Sequence, residues 1–109
     1  SSLKQRLPAM ISEKILVEDQ PRHHPVLRLW FFGGAATQPI MAQLMSQFNL
    51  RINILQANVE YIKNHAMGIM ILAIDGEKNN LAAGFTHLQQ SGIQVEVLGY
   101  VPNDIIPFA

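Results

Sequence analysis

A chain of 109 residues in which 49% are apolar, 15% are charged with a formal balance of zero, and none is cysteine has length for one hydrophobic core and not for two. The neutral balance argues against a surface for nucleic-acid backbones, which is built on clustered Lys and Arg, and the lack of cysteine excludes disulfides, thiolate metal sites and thiol catalysis. No apolar run approaches the roughly 20 residues of a membrane span and no charged-then-apolar leader is visible, so the chain, which opens on Ser1-Ser2, reads as a soluble piece of a longer protein.

Residues 1–25 read as a linker-like lead-in. Leu3, Leu7, Met10 and Ile11 have the spacing of a short helix interrupted by Pro8, and Ile15-Leu16-Val17 follows. His23 and His24 point opposite ways on an extended chain with no carboxylate at ligand spacing, so both are expected at the surface and not on a metal. Residues 26–32 (V-L-R-L-W-F-F) form the first strand, with Leu27, Leu29 and Phe31 on the core face and Val26, Arg28, Trp30 and Phe32 on the other. The small-residue loop Gly33-Gly34-Ala35-Ala36-Thr37-Gln38 then feeds a helix opened by Pro39, with Thr37 or Gln38 near its N-cap and Ile40, Leu44 and Phe48 on one apolar stripe.

A second strand begins near Ile52. Its alternation puts Ile52, Ile54, Gln56, Asn58 and Glu60 on one face and Leu55, Ala57, Val59 and Tyr61 on the other, with Asn53 on that second face or at a bulge beside it. Lys63-Asn64-His65 turns the chain into a third strand whose residues 67–74 are apolar at both parities apart from Gly68. Such a strand needs cover on both faces, and the expected cover for the face away from the helices is another copy of the chain or a ligand. Asn79-Asn80 can cap a second helix whose buried side carries Leu81, Phe85 and Leu88 and which ends at Ser91-Gly92. A fourth strand alternates through Ile93 to Val101, and residues 102–109 are expected to be a flexible tail.

The order strand, helix, strand, strand, helix, strand predicts an α+β, ferredoxin-like βαββαβ fold: a four-stranded antiparallel sheet in order 4-1-3-2 with two helices on one face. Function on such a sheet has to come from the site. A copper carrier needs a cysteine pair and an RNA-recognition module needs central-strand aromatics with positive charge. An acylphosphatase-like enzyme needs an arginine in the loop at 33–38, which has none. His65 and His87 have no Ser, Asp or Glu placed to orient them and read as solvent-facing, so no catalytic residue is assigned. What remains is a loop feeding a helix N-terminus, which favours a carboxylate, beside a two-faced apolar strand. Together they suit an amino acid with a hydrophobic side chain.

Asn53-Ile54-Leu55 after a helix opened by Pro39-Ile40, the Gly68 of A-M-G-I-M-I, the helix L-A-A-G-F-T-H-L closed by Gly92, and the ending V-E-V-L-G-Y-V together resemble the NIL domain, the C-terminal regulatory domain of the ATP-binding subunit of methionine ABC importers. The resemblance covers residues 26–101. It implies an ACT-like, membrane-associated homodimer paired through the sheet, with L-methionine bound near the pair interface and import inhibited by feedback. The implied setting is amino-acid transport at the cytoplasmic side of the bacterial inner membrane, with a transmembrane permease reached through the ATPase domain. No G-x-x-x-x-G-K-[ST] loop occurs, so ATP and Mg belong to that absent domain and this chain is no enzyme by itself. Asn53 matches the position associated with methionine. On this reading Phe32 and Gly33 shape the pocket mouth, and Ile54, Leu55, Ile69 and Met70 surround the thioether. The opening Gly33-Gly34-Ala35-Ala36 departs from the family, whose loop has a single glycine followed by more polar residues. The alternative is a dimerisation module that binds no ligand, and a small hydrolase is a third reading without a catalytic set to carry it.

Overall fold

The computed structural model of the chain describes residues 7–33, 39–106 and 108. Its elements are α1 (Ala9–Ser12), β1 (His23–Phe32), α2 (Ile40–Gln47), β2 (Arg51–Ile62), β3 (His65–Asp75), α3 (Lys78–Gln90) and β4 (Gln94–Pro102). The strands make one antiparallel sheet in order β2-β3-β1-β4, the ferredoxin-like arrangement that the sequence predicts. Lys63 and Asn64 both have positive φ, 51° and 67°, the backbone that a tight hairpin of the type I′ class demands. Helix α3 starts from Glu77, so Asn79 and Asn80 lie inside its first turn and do not cap it.

Helices α2 and α3 share one face of the sheet. There Leu27, Leu29 and Phe31 of β1 pack with Leu72 and Ile74 of β3 and with Ile40, Leu44 and Leu88 of the helices, so the alternation of β1 resolves as expected. The strand β3 is buried on both faces, and the opposite face explains how. Ile71, Ala73, Val26 and Val101 form a second cluster there with Ile11 of the lead-in and Ile106 of the tail. Ile11 is 4% exposed and Ile106 2%. The chain's own ends therefore cover part of the face for which a second copy or a ligand was expected. The physical reason is that Leu7, Ile11 and Ile15 supply apolar surface close enough in sequence to fold back on β1 and β4, at little loop-closure cost. Of the tail's described residues, Phe108 meets the His24 ring edge-on at a centroid distance of 4.7 Å.

His24 departs from its expected surface position. It is 2% exposed, and its Nδ1–H donates to Asn103 Oδ1 at 2.8 Å, which ties β1 to the turn after β4. His23 on the other parity stays partly exposed. His87 is half-buried, with its Nε2 2.8 Å from Gln43 Oε1, bridging α3 to α2. His65 is exposed as read.

The largest revision concerns β2. Its register to β3 runs Asn53 opposite Ala73 and Ile54 opposite Leu72, then skips Leu55 and resumes with Gln56 opposite Ile71 and Ala57 opposite Met70. Leu55 is thus the extra residue of a β-bulge, and a bulge exchanges the two faces beyond it. Ile52 and Ile54 share the helix face with Ala57 and Val59. Asn53 shares the opposite face with Gln56, Asn58 and Glu60. Strict alternation through residue 55 had grouped these residues the other way.

Candidate ligand-binding site

At the end of the sheet where β1 gives out, a cleft of about 620 Å³ opens between the first turn of α2 and the β2–β3 ladder. It exists because the sheet is thin there. Gly68 contributes no side chain and Ala57 only a methyl, while Phe31 and Met70 stand beside them and Ile40 and Met41 of α2 form the far wall. Phe31 lies against Gly68, with its Cβ 3.5 Å from where a Cβ on residue 68 would sit. The volume falls in the range of small-molecule pockets.

Apart from Asn58 the lining is apolar, and among the described residues no titratable side chain lines the cleft. It can bind and orient. A helix's first N–H groups have no partner inside the helix, and Pro39 at the N-cap of α2 offers no side-chain oxygen. That end of the cleft therefore favours negative charge. No group of three or more His, Cys, Asp or Glu side chains that could hold a metal occurs among the described residues, and no helix among them is long and apolar enough to cross a membrane.

Of the residues that the sequence points to, Ile69 and Met70 line this cleft. Phe32 and Gly33 follow Phe31 in the chain but do not line the cleft, and Phe32, paired with Met67, is on the face away from the helices. Phe32 is 48% exposed, and Gly33 has φ 53°. Loop residues 34–38, with Thr37 and Gln38 as expected caps and the rest of the expected anion cradle, lie outside the described residues. Ile54 is on the helix face but exposed. Leu55 turns at the bulge toward the second cluster. Asn53 is on the opposite face, and its register partner Ala73 stands six positions along β3 from Met67, the partner of Phe32. At about 3.4 Å per residue that is roughly 20 Å. Within one chain, Asn53 and Phe32 do not meet.

Sequence reasoning did not point to the other lining residues, Phe31, Ile40, Met41, Ala57, Asn58, Val59 and Gly68. Gly68 carried a usable signal: a lone glycine inside an apolar strand marks a close approach or an empty place on the sheet.

Other proteins share this frame. Residues 25–97 match the family model for the NIL domain. The chain is 35% identical over 104 residues to the methionine import ATP-binding protein MetN of Coxiella burnetii, covering 95% of this chain and 30% of that protein. It is 36% identical over 100 residues to the methionine import ATP-binding protein MetN 2 of Rhodopseudomonas palustris, covering 92% and 26%. The chain thus spans less than a third of the length of these curated relatives. Among solved structures it is similar to the C-terminal domain of an ABC transporter ATP-binding protein from Enterococcus faecalis, with a TM-score of 0.56 and 23% identity, covering 69% of this chain and 83% of that one. At that identity the likeness speaks to the fold alone. The family model and the curated relatives agree over most of the sequence, and the chain belongs to the NIL domain family.

Proposed function

We propose that this chain is the C-terminal regulatory domain of the ATP-binding subunit of a methionine ABC importer, and that it binds cytoplasmic L-methionine and inhibits import by feedback. The observation that carries the ligand reading is the apolar cleft opening at a helix N-terminus whose N-cap is a proline. The thioether chain fits the wall of Phe31, Met41 and Met70, and the carboxylate fits the first-turn N–H groups of α2. The relatives, which are named for methionine import, support the choice of amino acid. In such a protein the ATPase domain, with its ATP and Mg, and the permease partner belong to the remainder of the subunit and the membrane complex, and the domain works on the cytoplasmic side. Inhibition requires differential affinity: methionine must bind the resting arrangement of the subunits better than the ATP-closed one, because equal affinity shifts nothing.

A homodimer completes this account. The outer edge of β4 is met by Leu16, whereas β2 forms the opposite edge of the sheet and exposes Val59, Tyr61 and Ile62, with Tyr61 at 76%. Two β2 edges paired antiparallel about a two-fold axis can set Arg51 opposite Glu60, Ile52 opposite Val59 and Asn53 opposite Asn58. The bulge at Leu55 makes each of these pairs fall on a common face, and the first pairs opposite charges. Asn53 of one copy then stands beside Asn58 of the other, with both side chains on the face away from the helices and Asn58 contributing to the cleft at the edge strand. Calorimetric titration of the 109-residue chain with L-methionine tests the reading, with L-alanine as comparator. Saturable heat for methionine alone supports it, and no heat at millimolar ligand removes it.

The exposed apolar residues of β2 also favour a second reading, a dimerisation module without ligand. It is distinguished by a concentration-dependent dimer in sedimentation whose stability ignores every amino acid.

A further inference from the structure

The β2 edge of the sheet is guarded by a side chain of its own strand. The N–H of Val59 donates to Asn58 Oδ1 at 2.9 Å, and the other end of the same amide, Nδ2, donates to Glu60 Oε1 at 3.3 Å. The Val59 N–H therefore points away from β3, to the open side of the edge strand. On a strand, the side-chain face and the direction of the backbone bonds alternate together. Ile52, Ile54 and Ala57, which share the helix face with Val59, thus turn their N–H and C=O groups outward too. Such a row is a template for another strand, and its apolar side chains are half exposed, Ile54 at 49% and Val59 at 55%. Asn58 occupies the row at Val59, so a strand that adds here must first displace its amide.

A second copy of the chain fits this edge. In the two-fold arrangement of the β2 edges, Ile52 faces Val59 of the other copy and Ile54 faces Ala57. All four are outward-bonding residues, so the strands can exchange backbone bonds without a slip of register. On the other face Asn53 meets Asn58, and Arg51, which also pairs with Asp75 in its own chain, meets Glu60. Each contact that Asn58 gives up is thereby replaced across the seam. The Val59 N–H passes from Asn58 Oδ1 to the carbonyl of Ile52, the Glu60 carboxylate passes from Asn58 Nδ2 to the Arg51 guanidinium, and the freed Asn58 amide turns to that of Asn53. We propose that Asn58 is a self-capping guard of the β2 edge, and that a second copy of this chain displaces it by supplying these replacements. A foreign strand that offers Val59 a carbonyl, but no amide beside Asn58 and no cation beside Glu60, leaves both side chains without a replacement. The guard thus selects for self-pairing. The inference rests on the homodimer of the proposed function and names the residue that controls it.

The test has two parts, both without ligand. Asn53→Cys and Asn58→Cys variants, in a chain with no other cysteine, are mixed and oxidised. Directly opposed residues of a non-hydrogen-bonded antiparallel pair have Cα atoms about 4.5 Å apart, within disulfide reach. Neither variant can link to itself in this register, because Ala73 and Ile69, the β3 partners of Asn53 and Asn58, lie four positions apart, roughly 14 Å. Sedimentation equilibrium then compares Asn53→Ala with the double variant Asn53→Ala/Asn58→Ala. With the receiving amide gone from both, the second substitution removes the guard. Each copy loses one, so dimerisation should tighten about fivefold or more. Disulfide dimers in the mixture and in neither variant alone, together with that tightening, support the guard. Linkage within a single variant, or association of the double variant no tighter than that of Asn53→Ala, overturns it. Monomers throughout at millimolar concentration overturn the guard and the homodimer together, while methionine heat in calorimetry would leave the ligand reading in place.

Discussion

Replacing Ile11 by alanine probes whether the chain's own N-terminal segment covers the sheet. Ile11 is buried in the cluster of Val26, Ile71, Ala73 and Val101, and the substitution removes three carbon groups. At about 0.8 kcal/mol for each buried methylene the transfer contribution is roughly 2.4 kcal/mol, and an unrelaxed cavity adds to it, within the about 2–5 kcal/mol seen for such truncations. The loss has a ceiling, however. Residues 7–16 bond to the sheet backbone only through Leu16 among the described residues, so a weakened segment can undock, and the destabilisation saturates at the free energy of its docking. The expected result in urea unfolding is therefore a loss of about 2 kcal/mol together with a smaller m value, because a native state with the segment released has less surface left to expose. Ile71→Ala in the central strand has no such escape. It is expected to cost about 3–4 kcal/mol. A change below about 0.5 kcal/mol for Ile11→Ala, with the m value unaltered, would refute the argument that this segment closes the second face.

Three further substitutions address the site and the sheet. Gly68→Val has ordinary contact distance for its Cβ against Phe31 and suits a strand, but its methyl groups enter the cleft; methionine binding should fall at least tenfold in calorimetry while the far-ultraviolet circular dichroism is kept. Asn53→Ala should weaken methionine by about tenfold or more, the loss of a hydrogen bond to a charged ligand group being about 1.5–3 kcal/mol. An unchanged isotherm would assign Asn53 a role outside the site. Glu96→Ala removes the carboxylate that Arg28 reaches at 2.8 Å. Because the Glu96 side chain is half exposed while Arg28 is buried, the expected cost is about 1–2 kcal/mol by urea denaturation, between a surface pair and a buried one.

The β1 alternation of Leu27, Leu29 and Phe31, the helix stripe of Ile40 and Leu44, and the two-parity apolar run of β3 were legible because each depends on a local period set by backbone geometry. A bulge was legible only as an alternative beside Asn53, and its place at Leu55 was not, since one extra residue leaves no mark in composition and is fixed by how β2 fits β3. The docking of Ile11 and Ile106 was hidden for a related reason: isolated apolar residues in a lead-in and a tail look alike whether or not they pack. Gly99 held the missing clue. A glycine inside V-L-G-Y-V marks a close backbone approach, here that of Ile15 and Leu16. Ile69 and Met70, two of the nine residues that line the cleft, lie on the strand that the sequence singles out, whereas the cleft itself comes from the absence of side-chain volume at Gly68 and Ala57, which becomes visible once α2 is in place.

The most direct test of the account is a two-dimensional amide NMR titration with L-methionine. It is expected to move the signals of Gly68, Met70, Ala57 and Met41 together along one saturable curve. Shifts confined to residues distant from α2, such as the turn at Asn103, or none at all, would contradict a methionine site in this cleft.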